Sequence, residues 1–107
     1  MSLDVYLTDA NGVRLYQANI THNLSRMAKE AGIYSCLWRP EEHGMKYACN
    51  IIAPLSAGLA LLATDKARFE EFNAPNGWGK WEHFVLFCAE YLQACRDDPD
   101  ALIEACR

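Results

Sequence analysis

The stretch Leu3-Asp4-Val5-Tyr6-Leu7-Thr8, with the following Asp9-Ala10-Asn11-Gly12 and Val13-Arg14-Leu15-Tyr16-Gln17-Ala18, decides the fold class. The first and third segments alternate apolar and polar residues, which is typical of half-buried strands. Between them, Asn11-Gly12 is a dipeptide that tolerates positive φ at both central positions of a tight turn. We therefore expect an opening β-hairpin.

Apolar residues at helical spacing follow the hairpin over most of the remaining chain. Thr21 is the predicted N-cap of the first helix and Asp65 that of a short one, because both offer a side-chain oxygen to free amides. Pro54 lies in the longest helical segment, where it either kinks one helix or starts a second. The helical segments predicted in this way are 22–31, 33–38, 46–64, a short one after residue 65, and 81–95.

The C-terminal segment Ala101 to Cys106 has two interpretations. It is either a last helical turn capped by Asp100 or a third strand that pairs with the hairpin. An isolated two-stranded hairpin is marginally stable in water, which favours the strand. The predicted fold is α+β, a single domain over residues 1–107 in which the hairpin and this favoured third strand pack against four to five α-helices.

The composition limits the classes of function. The chain has 107 residues, of which 51% are hydrophobic, so one domain with a real core can form. Its net charge of -4 argues against broad nucleic-acid binding, which needs a basic face. The longest apolar run, 51–63, is interrupted by Pro54 and Gly58 and is too short to span a bilayer, so no membrane partner is expected. The first residues lack the pattern of a signal peptide.

The cysteines predict structural thiols. Cys36, Cys49, Cys88 and Cys95 lie among apolar residues, and no pair of the five cysteines has Cys-x-x-Cys spacing. Metal sites and redox dithiols normally show such spacing, whereas free cysteine packs as a small hydrophobe. We therefore expect reduced thiols in a cytosol, with no metal and no cofactor. The histidines also lack a His-Glu-x-x-His pattern.

Polar and aromatic side chains bunch in three short segments, of which two come early in the chain. Thr21-His22-Asn23 stands at a helix N-terminus, where its residues either contact a ligand or only cap the helix. In Trp38-Arg39, the two side chains could grip a planar anion. The alternative is that Trp38 fills the core while Arg39 pairs with Glu41 or Glu42.

The third segment is the loop Asn76-Gly77-Trp78-Gly79-Lys80-Trp81. Two glycines bracket Trp78, so its backbone can adopt conformations that other residues avoid. Trp78 is either displayed to a ligand for stacking or tucked into the core. For Trp81 the core interpretation is favoured, because this residue begins the apolar stripe of the last helix.

These segments resemble blocks in a family of small uncharacterised proteins from tailed-phage and prophage genomes. The likeness spans nearly the whole chain, and relatives in that family often end in an alternating tail, which adds to the case for a third strand. The resemblance implies an accessory protein, host-directed or counter-defence, in the cytoplasm of an infected bacterium. The blocks that carry it are Met-Ser-Leu-Asp-Val-Tyr-Leu-Thr at 1–8, Asn-Ile-Thr-His-Asn-Leu at 19–24, Leu-Trp-Arg-Pro-Glu-Glu at 37–42, Asn-Gly-Trp-Gly-Lys-Trp-Glu at 76–82, Phe-Val-Leu-Phe-Cys-Ala-Glu-Tyr-Leu-Gln-Ala-Cys at 84–95 and Asp-Pro-Asp-Ala at 98–101.

The leading hypothesis is binding without catalysis, in which the three segments form one pocket for a small polar, nucleotide-like ligand. A homo-oligomer is expected, since small domains often complete pockets across symmetric interfaces. The first alternative is a protein-interaction module that inhibits or modulates a host protein. The second is a small hydrolase that uses His22 as its base. The residues predicted to bind the ligand are His22, Asn23, Trp38, Arg39, Asn76 and Trp78.

Overall fold

A computed structural model describes residues 2–107 and places a three-stranded antiparallel sheet against a layer of α-helices. The strands lie in the order β2-β1-β3. The α+β class, the N-terminal hairpin and the C-terminal third strand are confirmed, and the segment after Ala101 is not a helical turn. The bounds of the strands are Ser2–Thr8 for β1, Arg14–Thr21 for β2 and Leu102–Cys106 for β3.

The central strand β1 carries the core side of the sheet. Leu3, Val5 and Leu7 are completely buried, while the residues between them are half-buried on the opposite face. This follows from the two-residue period of a strand, which sends alternate side chains to opposite faces. The register between β1 and β2 shifts after Leu7, so Leu15 is an extra residue in β2, as in a β-bulge.

The hairpin turn differs from the prediction in its backbone. Only Gly12 has a positive φ, at 82°, and Asn11 does not. The Asp9 carboxylate instead accepts hydrogen bonds from the amides of Asn11 and Val13, each at 2.9 Å. Because the Asp9 side chain closes the turn by these hydrogen bonds, the turn is longer than the two-residue type that requires positive φ at both central residues.

The outer edge of β3 is partly covered by the chain. The amide of Ile103 donates to the carbonyl of Lys46 at 2.9 Å, and the amide of Ala48 donates to the carbonyl of Ala101 at 2.8 Å. Tyr47 forms an isolated antiparallel bridge with Leu102. Within residues 2–107 no segment covers the outer edge of β2 in this way, so the sheet has one protected edge and one open edge.

The helices follow the predicted order with two differences, at the first predicted helix and at Asp65. The first predicted helix divides into a 3-10 turn and a short α-helix, and the Thr21 hydroxyl accepts from the amide of Asn23 at 3.2 Å to cap the turn. Of the two alternatives left open for Pro54, the start of a second segment is excluded, because the residue lies inside one continuous helix. Asp65 precedes a helix but its side chain makes no capping bond. The helices are α1 (Ser25–Glu30), α2 (Tyr34–Trp38), α3 (Ala48–Thr64), α4 (Lys66–Glu70) and α5 (Trp81–Asp97), with 3-10 turns at His22–Leu24 and Pro40–His43.

The core forms where α3 and α5 pack against each other and α5 packs against β2. Phe69, Phe84 and Tyr91 are among its largest fully buried side chains. α5 is amphipathic, as expected for a helix that covers one face of a sheet, whereas α3 carries no charged residue and exposes mainly alanines. Across residues 2–107, no helix combines the length and the hydropathy that crossing a membrane requires.

Gly58 is the point at which α3 approaches the preceding chain most closely. A Cβ atom at this position would collide with Cγ2 of Ile33 and would lie 3.2 Å from the carbonyl oxygen of Ala31. Because this oxygen belongs to the backbone, it cannot move aside as a side chain can. The absence of a side chain at Gly58 therefore sets the distance between α3 and the segment after α1.

Gly58→Ala should destabilise the protein although alanine is the better helix former. Overpacking costs about 1–3 kcal/mol, against a helix-propensity gain of about 1 kcal/mol. The matched control is Ala57→Val, which enlarges an exposed neighbour on the same helix and should change stability by less than about 1 kcal/mol. Urea denaturation measures both. Equal stability of Gly58→Ala and the wild type would contradict the close contact.

Candidate functional site

An open cleft of about 1050 Å³ runs along the free edge of β2. The upper wall is the second half of β2, the lower wall is one side of α5, and the loop that carries Trp78 closes one end. The strand and the helix form a groove because α5 packs under the edge strand rather than under the centre of the sheet. The side chains that matter below are Asn19, His22, Asn23, Trp78, Leu86 and Glu90, all of which line this cleft.

Four of the six predicted ligand-binding residues line the cleft, namely His22, Asn23, Asn76 and Trp78. The other two do not. Trp38 is 2% exposed and belongs to the core. Arg39 pairs with Glu42 at 2.7 Å and donates to the Tyr34 hydroxyl at 3.2 Å.

The reason for this division is the end of α2. Trp38 is the last residue of that helix and faces the core, whereas Arg39 lies beyond the helix end, where its side chain is 41% exposed and next to Glu42. Adjacent residues at a helix end point in different directions, so the two side chains cannot grip one ligand together. Trp38 does not line the cleft itself; it contacts His22, which does.

Trp38 and His22 make that connection by a hydrogen bond. The indole Nε1–H of Trp38 donates to Nδ1 of His22 at 2.9 Å. Nδ1 is therefore the acceptor, and a neutral His22 carries its proton on Nε2. In the part of the chain that the structure describes, no carboxylate or thiol is hydrogen bonded to His22, so the orienting partner of a catalytic base is not in place.

The loop that carries Trp78 is held by several hydrogen bonds, of which three involve residues close to Trp78 in sequence or in space. The side-chain amide of Asn23 donates to the carbonyl of Trp78 at 2.8 Å, and the amide of Trp78 donates to Oδ1 of Asn76 at 2.9 Å. The amide of Ala74 donates to the carbonyl of Gly79 at 2.9 Å. The first of these bonds joins the first and third predicted segments directly.

Gly79 brings this loop against the start of the first helical turn. Its φ is +121°, and a Cβ atom there would lie 3.2 Å from Cβ of Asn23 and 3.2 Å from Cγ2 of Thr21. Only glycine combines such a backbone with such a close approach. Gly77 also has a positive φ, at +80°, but a Cβ atom there would meet open space.

The result is a large aromatic side chain displayed on a fixed backbone. Trp78 is 73% exposed. Trp81 is its opposite, since this indole packs against the core and donates to the carbonyl of Leu62 at 3.0 Å. Trp81 packs against the core, as its place in the apolar stripe predicted. Of the two alternatives for Trp78, the structure has the displayed one, with the side chain exposed to solvent.

Sequence reasoning missed the part of the cleft that α5 provides. Leu86 is 59% exposed and falls outside the apolar stripe of that helix. A large apolar residue on the polar face of an amphipathic helix is a signal that the sequence did contain. Asn19 and its neighbours on β2 carried no comparable signal, because polar residues are ordinary on an edge strand.

The electrostatics of the cleft depend on one carboxylate. Glu90 is the one Asp, Glu, Lys or Arg among the described lining residues, and His22 and His83 add two imidazoles. Burial, followed by the negative charge of Glu90, raises the pKa of the nearby Tyr16 to about 12, so this phenol stays neutral. No Lys or Arg is among the described lining residues, so the cleft offers a phosphate group no permanently charged partner.

The cysteines do not supply a nucleophile. Burial raises the pKa of Cys36 and of Cys95 to about 12, and it raises the pKa of Cys88 well above the ordinary value. The reactive form is the thiolate, so these three are inert. Cys49 is exposed, contrary to its apolar sequence surroundings, and Cys106 is exposed as well. Within residues 2–107, no three His, Cys, Asp or Glu side chains could hold a metal ion together.

Under native conditions, two of the five cysteines should react with Ellman's reagent at pH 8, and these are the exposed Cys49 and Cys106. The buried thiols react only after unfolding, since they are both inaccessible and protonated. Counting the released chromophore before and after adding guanidinium measures this. Loss of the native reaction in Cys49→Ser with Cys106→Ser is the control, and fast native reaction of that double variant would contradict the buried positions.

Gly79→Ala should destabilise the loop more than Gly77→Ala. Both changes strain a left-handed backbone, at about 1–2 kcal/mol, but only alanine at 79 also presses on Thr21 and Asn23. We expect an additional cost of at least about 1 kcal/mol at 79. Thermal unfolding of the two variants compares them. Equal unfolding free energies would show that the loop does not pack as closely as described.

Comparison of the chain with protein-family models, with curated proteins and with solved structures finds no match. The described geometry is therefore the basis for inferring a function, and its main features are few. They are a free strand edge, an exposed helix face, a fixed and exposed tryptophan, and a single carboxylate.

Proposed function

We propose that this protein is a non-enzymatic recognition module that binds another protein chain along the cleft between β2 and α5. The observation that carries the proposal is the joint exposure of Trp78 and Leu86 in one cleft, at 73% and 59%. Exposed apolar side chains that cluster are typical of interaction surfaces. Tryptophan in particular is enriched among the residues that dominate binding energy.

The fixed loop strengthens this argument. The bonds from Asn23 and Asn76 and the close contact of Gly79 hold the backbone of Trp78 in the free protein. An anchor that is already ordered loses less conformational entropy on binding than one on a mobile loop. The loop therefore has the property expected of a preorganised interface residue.

The free edge of β2 adds backbone donors and acceptors to the same surface. An unpaired strand edge is a template for pairing with a strand from another chain. In strand addition, main-chain hydrogen bonds provide affinity and neighbouring pockets provide specificity. Here the neighbouring pocket is the groove above Leu86.

A small nucleotide-like ligand is less well supported. Arg39, the residue assigned to its charge, is paired with Glu42 outside the cleft, and no Lys or Arg lines the described part of the cleft. Small-molecule pockets also bury most of the ligand surface, whereas this cleft is open along its length. The hydrolase hypothesis has the weakness that His22 is bound to Trp38.

The biological setting stays a prediction. The resemblance to tailed-phage proteins implies that such a module works in the cytoplasm of an infected bacterium, where a counter-defence factor would modulate a host protein.

The proposal is tested by site-specific photo-crosslinking in cells that express the chain. With p-benzoylphenylalanine at 78 or at 86, we expect a discrete protein adduct, because both positions lie at the interface. Ala63, exposed on α3 away from the cleft, is the matched control position and should give none. Mass spectrometry identifies the adduct, including an adduct with the chain itself.

Two results would contradict the proposal. One is the absence of a protein adduct at both 78 and 86. The other is saturable quenching of tryptophan fluorescence by a nucleoside or nucleotide that Trp78→Ala abolishes, which would return the cleft to the small-ligand hypothesis.

A further inference from the structure

The open edge of β2 lacks the devices that normally protect a strand edge. Between Tyr16 and Thr21 the strand has no charged residue, no proline and no glycine. Natural edges are usually blunted by lysine, proline, a bulge or a covering segment. The bulge at Leu15 lies at the beginning of β2, and the covering segment Lys46–Ala48 protects the opposite edge of the sheet. Six consecutive residues are left suited to strand pairing.

The face of α5 below this edge has a pattern that reads the same in both directions. Along the helix, His83, Leu86, Phe87 and Glu90 line the cleft, in the order polar, apolar, apolar, polar. The spacings are three, one and three residues, so all four share one side of the helix. In an antiparallel pair of such helices, His83 of each faces Glu90 of the other, and the exposed Leu86 of each lies near the axis, over the largely buried Phe87 of the other.

We propose that the partner in this cleft is a second copy of the chain. Strand β2 pairs antiparallel with β2 of the other copy about a twofold axis perpendicular to the sheet, which makes one six-stranded sheet with both helix layers on the same side. The two α5 helices then lie side by side and antiparallel. This inference rests on the proposed function, because it identifies the chain that the cleft binds.

Charge complementarity favours a second copy over an unrelated chain. Each copy has a net charge of -4, so self-association requires an interface at which carboxylates do not face one another. In the cleft the one carboxylate, Glu90, meets the imidazole of the partner's His83, whose ring N–H can donate to it. Two copies of the four-residue pattern thus pair each carboxylate with an imidazole, and the same contact removes the exposed Leu86 side chains from solvent.

The ends of the strand are complementary as well. Trp78 lies at the C-terminal end of β2, next to Asn23. In an antiparallel pair this end lies beside the N-terminal end of the other β2, where Val13 and Leu15 are exposed. Self-pairing therefore brings the exposed apolar residues of the two ends together and completes the cleft with residues of the second copy.

Sedimentation velocity of the purified full chain over a concentration series tests the inference. We expect a monomer–dimer equilibrium for the wild type. In the His83→Glu dimer, the new carboxylate of each copy faces Glu90 of the other, which makes two repulsive pairs. This should weaken dimerisation at least about tenfold. Combining His83→Glu with Glu90→His restores a carboxylate–imidazole pair and should recover most of that loss. Ala89→Glu adds the same charge on an exposed position of α5 that does not line the cleft, so it should change the dimer dissociation constant by less than about twofold.

Leu86→Glu provides a second variant that does not depend on the pairing of His83 with Glu90. Leu86 is exposed in the single chain, so this change should leave the circular dichroism spectrum intact and yield a monomer. A wild type that stays monomeric at about 100 μM overturns the inference, because a dimer with a Kd of about 1 μM would be almost fully formed at that concentration. A dimer that neither His83→Glu nor Leu86→Glu weakens overturns it too, because it must use another surface.

The photo-crosslinking result separates failure of this inference from failure of the proposed function. A monomeric chain that still forms an adduct with a different protein from positions 78 and 86 keeps the recognition module and loses the self-pairing. A monomeric chain with no adduct at either position loses both.

Discussion

The central strand of this three-stranded sheet buries one face completely, and the rest of the structure depends on how that face is covered. Leu3, Val5 and Leu7 on the central strand have no exposed surface. Burying side chains of this size contributes about 1.5–3 kcal/mol each, so helices must lie across the strand. α5 covers the sheet from below β2, and this placement leaves a groove between the helix and the strand edge. The cleft is therefore a consequence of covering the core.

Within the cleft, the contact between Gly79 and the Thr21–Asn23 turn determines what is presented. The loop and the turn lie far apart in the sequence, and glycine lets their backbones approach. The hydrogen bond from Asn23 to the carbonyl of Trp78 then fixes the backbone from which the indole projects. The polar residues of the first segment thus have a structural role as well as a position on the cleft. Thr21 caps the 3-10 turn, and its neighbour Asn23 holds the loop that exposes Trp78.

Much of the fold could be predicted because its signals are local. Two-residue alternation marked β1 and β2, and the apolar stripe marked α5. Two expectations failed although their causes are also local, because the patterns used did not include side-chain hydrogen bonds in the turn or the face of the helix. The Asp9 side chain closes the hairpin turn by a route that the Asn-Gly pair did not indicate. Cys49 has apolar neighbours in the sequence yet lies on an exposed side of α3, because neighbours in sequence do not share a helix face.

The sequence by itself determined the periodicities, the cap at Thr21 and the glycine-bracketed tryptophan, since each depends on the conformational preferences of a few adjacent residues. Only the tertiary structure decided which side chains meet. It placed Trp38 behind His22 and paired Arg39 with Glu42, so the predicted cation does not reach the cleft. It also brought Leu86 and Glu90 opposite the edge of β2. The physical reason is that the direction of a side chain follows from local backbone geometry, whereas its partner depends on how the helices pack over the one buried face of the sheet.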